Sequence, residues 1–420
     1  MSGLIIQKYG GTSVSNINRI KKVAERIVRT RKTGVDVVAV VSAMAGETDK
    51  LLDMVRQISP SPKRREVDLL LSSGERISSA LLSIALDNIG CPSISMTGRQ
   101  IGLLTDGAHT RARIKQIDTE RAKQVLKNKH VIVVAGFQGI NERGDVTTLG
   151  RGGSDTSAVA LAVALGAEKC EIYTDVDGVF TADPNIVPDA RKLDRVSYDE
   201  MLEMASLGAQ VLQIRCVEFC KKNNLPLIVK SSLADDSTGT LICEEDPNME
   251  QPVVSGIMSD KNQAKITIKG VPDQPGIASS IFTALADESL SVDMIIQNIS
   301  AEGQTDISFT LAQADMGEAM TIVKRVAAEI KAKKIDSDST ICKVSIVGAG
   351  MRSHPGVASK MFEALSRENI NIMMISTSEI RVSCVIDEKY AELAVRVLHD
   401  AFHLESESTE SGISNGAQSA

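Results

Sequence analysis

The sequence predicts an α/β protein in two parts: a parallel-rich central sheet between helices, then two smaller βαββαβ units. Three observations carry this expectation. Short apolar strand patterns alternate with helical ones through the first 245 residues, as in a parallel sheet with helical crossovers. A glycine-rich loop follows most of those strands, the place where open α/β sheets bind ligands. Beyond residue 263 one unit occurs twice: Pro275-Gly276-Ile277-Ala278-Ser279 returns as Pro355-Gly356-Val357-Ala358-Ser359.

The first strand is Leu4 to Tyr9, broken by Gly10-Gly11-Thr12-Ser13, and Ile17 to Ile27 has helical spacing with basic residues on its outer side. Lys8 stands at that strand's carboxyl end, beside glycine N–H groups, where it could cradle phosphate or simply be a solvated lysine. Val35 to Val41 is almost wholly apolar, as a strand buried on both faces requires. It leads into Ser42-Ala43-Met44-Ala45-Gly46-Glu47-Thr48. After the charged connection 60–66, Val67 to Leu86 reads as a long helix interrupted at Ser72-Ser73-Gly74-Glu75-Arg76; Glu75 there suits an exposed position or an amino-group site. Further strands are Ser93 to Met96, Val131 to Val134 before another glycine loop (135–139), and Ile172 to Asp175 before the acidic loop Val176 to Pro184. Residues 196–220 are helical, and 227–229 form a strand.

The stretch Thr147 to Ala167 is the organising element. A polar turn, Gly150-Arg151-Gly152-Gly153-Ser154-Asp155, opens an apolar helix that stops at Gly166. A helix start presents unpaired N–H groups and a positive dipole end, so the turn suits an anion. A helix capped by Ser154 or Asp155 is the plainer alternative.

Composition narrows the field. A 420-residue chain is long enough for more than one domain. The net charge of −7 argues against nucleic-acid partners, and 3% aromatic residues with no Trp argue against base stacking. The seven cysteines form no CxxC pair, Cys216 and Cys220 lacking His partners, so reduced thiols in a cytoplasmic protein without zinc are expected. The amino terminus enters a strand directly, without a signal-peptide pattern. No apolar run approaches the roughly 18 residues of a membrane span, so no membrane partner is expected.

In the second half, helices after the Pro-Gly turns carry Phe282, Ala284 and Leu285 in one copy and Phe362, Ala364 and Leu365 in the other. Leu290-Ser291-Val292 answers to Ile370-Asn371-Ile372. Strands Ile307 to Leu311 and Arg381 to Ile386 follow, then helices Ala319 to Ile330 and Tyr390 to Phe402, with the last strand of each copy short or variable. The expected boundaries are 1–245, a linker 246–262, repeats 263–335 and 340–404, and a disordered tail 405–420.

Lys8-Tyr9-Gly10-Gly11-Thr12-Ser13-Val14, the Ser42 to Thr48 loop, the Gly150 to Asp155 turn and Thr174-Asp175-Val176-Asp177-Gly178 together resemble aspartate kinases, and the two repeats resemble their ACT regulatory pair. The resemblance covers nearly the whole chain except the tail. It implies the amino-acid-kinase fold and transfer of a phosphoryl group from MgATP to the β-carboxylate of L-aspartate, the first step toward lysine, threonine and methionine.

Lys8 and Asp155 would then be catalytic, Asp155 organising Lys8. Thr48, Glu75, Arg151, Gly152, Gly153 and Ser154 would hold aspartate, Glu75 facing its amino group. Lys8, Tyr9, Gly10, Gly11, Ser42, Thr174, Asp175, Phe180, Asp183, Pro184 and Asn185 would hold ATP, with Gln210 where many relatives carry Lys. Arg215 and Lys230 are the alternatives for the missing cation, and Mg²⁺ would ride on phosphates and water.

Lysine and threonine are the implied effectors. Asp273, Gly276, Ile277, Ala278, Gln297 and Asn298 would bind in the first repeat, and Gly356, Val357, Asn371, Ile372, Ser376, Thr377, Ser378 and Glu379 in the second. A homodimer or an α2β2 assembly through the repeats is implied, a β subunit starting at Met249 or Met258. Two other readings stay in view, an amino-acid sensor without turnover and a kinase of the same fold for glutamate or a nucleotide. Lys8, Arg151 and Asp155 weigh against the first, the ACT pair and the Ser42 to Thr48 loop against the second.

Overall fold

The computed structural model describes residues 3–208, 211–234, 237–245, 252–299 and 303–406. Its elements begin with β1 (Leu4–Tyr9), α1 (Ile17–Lys32), β2 (Asp36–Val41), α2 (Glu47–Ile58), α3 (Arg64–Asn88) and β3 (Ser93–Met96). A small excursion follows: β4 (Leu103–Thr105), β5 (Ile114–Ile117) and α4 (Glu120–Lys127). Then come β6 (Val131–Ala135), β7 (Gln138–Ile140), β8 (Val146–Thr148), α5 (Gly153–Leu165) and β9 (Lys169–Thr174). The first unit closes with β10 (Arg195–Ser197), α6 (Tyr198–Ser206), α7 (Ile214–Asn223), β11 (Leu227–Ser231) and β12 (Thr240–Cys243).

Eight strands form its main sheet in the order β10-β12-β11-β9-β1-β2-β6-β3, with β4, β5, β7 and β8 in a separate four-stranded sheet. From β11 to β3 every pairing is parallel; β12 is antiparallel to β11. Strand β1 is central, with Lys8 opposite Val40 of β2 and Ile172 of β9. Five of the six residues of β2 are buried, as its apolar sequence requires. Helix α5 is apolar on all sides and buried from Gly153 to Ala162, and Gly166 ends it in the left-handed conformation (φ 68°).

Helix α3 corrects one expectation. It runs without a break, because Ser72, Ser78, Ser79 and Ser83 lie on its buried face and satisfy their hydroxyls on protein oxygens, Ser72 and Ser79 on carbonyls three residues back. It also corrects another: within its 25 residues the most apolar 18-residue stretch has a mean hydropathy of 1.3, so by length and composition it is long and apolar enough to cross a membrane. Half of that stretch is buried inside the unit, and the buried face carries Asp68 and Glu75. All seven cysteines are free thiols.

The second unit is a six-stranded antiparallel sheet. Its elements are β13 (Gly256–Pro272), α8 (Ile277–Asp287), β14 (Val292–Ile299), β15 (Gln304–Ala312), α9 (Met316–Glu329), β16 (Lys334–Val347), α10 (Val357–Arg367), β17 (Met374–Thr377), β18 (Arg381–Asp387) and α11 (Ala391–Ala401). The order is β14-β15-β13-β16-β18-β17. Both repeat helices open on a glycine at φ 96°, Gly276 and Gly356, where an L side chain would be strained.

The boundaries differ from the expected ones in two ways. Residues 256–260, expected in a linker, pair with 343–347, so the last strand of the second repeat comes from before the first. And Phe180–Arg191, expected inside the first domain, folds with the second unit. Ala182 and Val187 join the core of the second repeat with Ile257, Val344 and Leu398, and Thr181 meets buried His399 at 3.0 Å. The expected tail from 407 onward lies outside the described residues.

Candidate active site

The site sits at the carboxyl ends of β1, β2, β6 and β9. Alternation along β1 sends Lys8 and Tyr9 to opposite faces. Lys8 Nζ meets Asp155 Oδ1 at 2.6 Å, and each side chain is only 11% exposed. Burial penalises both charges, so each needs the other: either partner alone would be a buried ion without compensation. Asp155 stands in the first turn of α5, whose N-cap is Gly152 in the left-handed region (φ 68°), not Ser154 or Asp155. The N–H groups of Gly153 and Thr156 bond to Gly150 O and Gly152 O. Those of Ser154 and Asp155 meet no acceptor among the described residues, which leaves them to an anion.

Glu75 comes from α3. Its Oε1 accepts from Ala43 N–H at 3.1 Å, just beyond β2, whereas Oε2 is buried with no hydrogen-bond partner. Burial pushes its carboxyl up to about 7, against a smaller opposing effect of the Ala43 bond. Gly74 and Gly11 show why glycine stands beside this loop: a Cβ would lie 2.7 Å from Ala43 Cβ and 3.0 Å from Ala43 O respectively. Gly136, after β6, packs as closely on Ser154, where a Cβ would come 2.9 Å from Oγ. Glu75, Ala43, Gly11, Lys8, Asp155 and Ser154 therefore belong to one locality. Thr48, in the first turn of α2, is half-buried; Ser42 donates its N–H to Tyr9 O. Arg151 is exposed at the tip of the turn, with no ion-pair partner among the described residues.

Thr174 and Asp175 adjoin the first loop, since Tyr173 O accepts from Gly10 N–H (3.1 Å) and Ser13 Oγ (3.3 Å). That bond corrects the expected role of Gly10, whose N–H is already engaged. Tyr9 is corrected too: its side chain is fully buried, stacked on Tyr173 with centroids 4.9 Å apart, and belongs to the core. Arg215 is tied to Leu149 O and Ala112 O, and Lys230 to Glu171, so neither stands unengaged as a phosphate cation. Gln210 lies outside the described residues. Phe180, Asp183, Pro184 and Asn185 fold with the second unit, Asp183 Oδ1 accepting from both Asn185 nitrogens at 2.9 Å.

The sequence reading missed Asp68, fully buried on α3, with its partners His109, Thr110 and Thr148. A carboxylate seven residues before Glu75, among apolar residues at helical spacing, was the available signal.

The amino acid kinase family model matches residues 3–231, and an ACT domain model matches 266–326 and 344–402. An aspartate kinase of Stutzerimonas stutzeri is 54% identical over 403 residues, covering 96% of this chain and 98% of its own. The chain belongs to the aspartate kinase family. E. coli aspartokinase III in complex with aspartate and ADP shares the fold at 25% identity and a TM-score of 0.78, over 95% of this chain and 99% of its own. The same enzyme in complex with lysine and aspartate matches at 26% identity and 0.73, with the same coverage. For this aspartate kinase the effector candidates divide in two: Gln297 and Asn298 lie on edge strand β14, Ser376 and Thr377 on edge strand β17 at the opposite end of the sheet. Within one chain they do not form a single site. Asp273, Gly276 and Gly356 are exposed at the helix-opening turns, with Ile277 and Ala278 half-buried and Val357 buried just beyond them. Asn371, Ser378 and Glu379 are exposed and Ile372 half-buried.

Proposed function

We propose that this chain transfers the γ-phosphoryl group of MgATP to the β-carboxylate of L-aspartate, giving 4-phospho-L-aspartate and ADP, the first step toward lysine, threonine and methionine. The observation that carries the reading is the unpartnered, buried Oε2 of Glu75 in the locality of the Lys8–Asp155 pair. A substrate ammonium would supply the missing partner and restore the carboxylate's charge. The bound aspartate complex of the E. coli relative supports the same substrate.

The chemistry follows from the charges. An oxygen of the β-carboxylate attacks the γ-phosphorus as the bond to the β,γ-bridging oxygen breaks, and ADP leaves. The nucleophile is already anionic, so no general base is needed. Lys8, held by Asp155, lies where negative charge develops; a preorganised cation there costs no reorganisation during the reaction. The N–H groups of Ser154 and Asp155 add donors at the start of α5. Arg151 grips a substrate carboxylate in the bidentate manner guanidinium favours. Thr48 and Ser42 line the acceptor and nucleotide sides. Among the described residues no three His, Cys, Asp or Glu side chains form a metal cage. Mg²⁺, when bound with ATP, would be carried mainly on phosphate oxygens and water and would neutralise phosphate charge there.

Lysine, with threonine, is read as inhibiting through the ACT repeats of a homodimer or α2β2 assembly; the lysine complex of the E. coli enzyme supports the first effector. ADP release measured with L-aspartate, L-glutamate and nucleoside monophosphates tests the acceptor. Release with L-aspartate alone is expected; release with another acceptor alone would reject the reading.

A further inference from the structure

Asp68 is a fully buried carboxylate that the reaction does not use. It accepts Thr148 Oγ1 at 2.5 Å, His109 Nδ1 at 2.6 Å, and Thr110 N–H at 3.0 and 3.1 Å to its two oxygens. No Lys or Arg among the described residues pairs with it, so these donors alone compensate its burial. Every donor comes from the two segments around the root of the Arg151 turn. Thr148 ends β8, three residues before Arg151. Thr110 O faces Gly150, where a Cβ would lie 3.2 Å away. Ala112 N–H bonds to Thr148 O at 2.9 Å, and Arg215 ties Leu149 O to Ala112 O from the other side. Asp68 and Glu75 share α3 and are seven residues apart, two turns along one buried face.

We infer that Asp68, through Thr148, His109 and Thr110, is a positioning residue that fixes the Arg151 turn relative to Glu75, and so sets the affinity for the amino-acid substrate. The inference rests on the proposed aspartate kinase reading, in which Arg151 and Glu75 grip opposite ends of one small molecule. A helix that supplies one grip and anchors the root of the other keeps their separation constant. A grip that must first be ordered on binding costs affinity, so a loosened turn weakens substrate binding.

The test uses the full-length protein with Asp68→Asn, Thr148→Val and Thr148→Ser. It measures kcat, both KM values, calorimetric binding of L-aspartate, and amide exchange at residues 149–152. Loss of ground-state binding raises the L-aspartate KM and Kd about tenfold in Asp68→Asn and Thr148→Val, with kcat and the ATP KM within about threefold. Exchange at 149–152 quickens in both, and Thr148→Ser, which keeps the hydroxyl, restores KM and exchange together. Equal changes in both KM values, unchanged exchange, or lowered thermal stability with unaltered KM would each overturn the inference. Should Asp68→Asn fail to fold, the Thr148 pair decides by itself. Amide exchange is read without any acceptor, so failure of the positioning role is distinguishable from failure of the substrate reading, which the wild-type acceptor assay exposes alone.

Discussion

Lys8 and Asp155 sit 2.6 Å apart with little solvent, an arrangement that is poor for stability and good for stabilising charge that develops in a transition state. Replacing either with Ala removes a preorganised stabiliser of the transition state, so kcat should fall about a hundredfold or more in each folded variant. Steady-state ADP release checks this, and an unchanged kcat would detach the pair from the chemistry. Glu75 carries the opposite kind of tension. Its ordinary value is 4.5 and burial lifts it to about 7 in the ligand-free protein. Below the lower value both folded and unfolded chains hold the proton and the effect vanishes. Between 4.5 and about 7 the folded chain keeps a proton that the unfolded chain has released, so stability falls as pH rises. Above that window the full cost, about 3 kcal/mol, is present. Glu75→Gln should therefore stabilise the ligand-free protein at pH 8 by roughly 1–3 kcal/mol in urea unfolding, while raising the L-aspartate KM about tenfold. Wild-type KM for L-aspartate should rise as pH drops below about 7. A change confined to the ATP KM would place Glu75 in the wrong pocket.

Among the elements, the strands and helices of the first unit were legible because burial writes itself into sequence: β2 reads as unbroken apolar residues, and α5 ends at a glycine. The Lys8, Glu75 and Gly150–Asp155 placements were legible for the same reason, each lying just past an apolar strand or within a marked helix. Ser72 to Arg76 misled, because serines that bond back along a helix look like a break when only composition is visible. The second repeat's last strand was illegible because its pairing partner lies some ninety residues away, and no local pattern encodes that choice. Ile257 belongs to that strand and is 1% exposed within the second-repeat core. Ile257→Ala should cost about 2–5 kcal/mol, the usual range for a buried Ile truncation. A linker residue would cost almost nothing, so thermal or urea unfolding separates the two descriptions.

For the whole molecule, the chain passes between units three times: it leaves the first after Val179, returns at Lys192 and leaves again after Asn248. The candidate nucleotide residues Phe180 to Asn185 are thereby built on the second repeat's core, fastened by Thr181 to His399 and by Arg396 to Ile186 O at 3.0 Å. The interlocked sheet also bears on the proposed β subunit. A start at Met258 would omit Gly256 and Ile257 from their pairing with 346–347, whereas a start at Met249 keeps the whole strand. Because Asn298 and Thr377 occupy opposite edges, Asn298→Ala and Thr377→Ala should each remove a different part of the inhibition by lysine and threonine, titrated singly and together. Inhibition identical in both variants and wild type would move the effector site elsewhere.

The central claim, phosphoryl transfer to the β-carboxylate of L-aspartate, is tested most directly by trapping the product. An acyl phosphate reacts with hydroxylamine to give a hydroxamate, so the wild-type protein with MgATP, L-aspartate and hydroxylamine should form the β-hydroxamate of aspartate in step with ADP, and Asp155→Ala should form almost none. ADP release without hydroxamate, or hydroxamate formed equally by Asp155→Ala, would contradict the account.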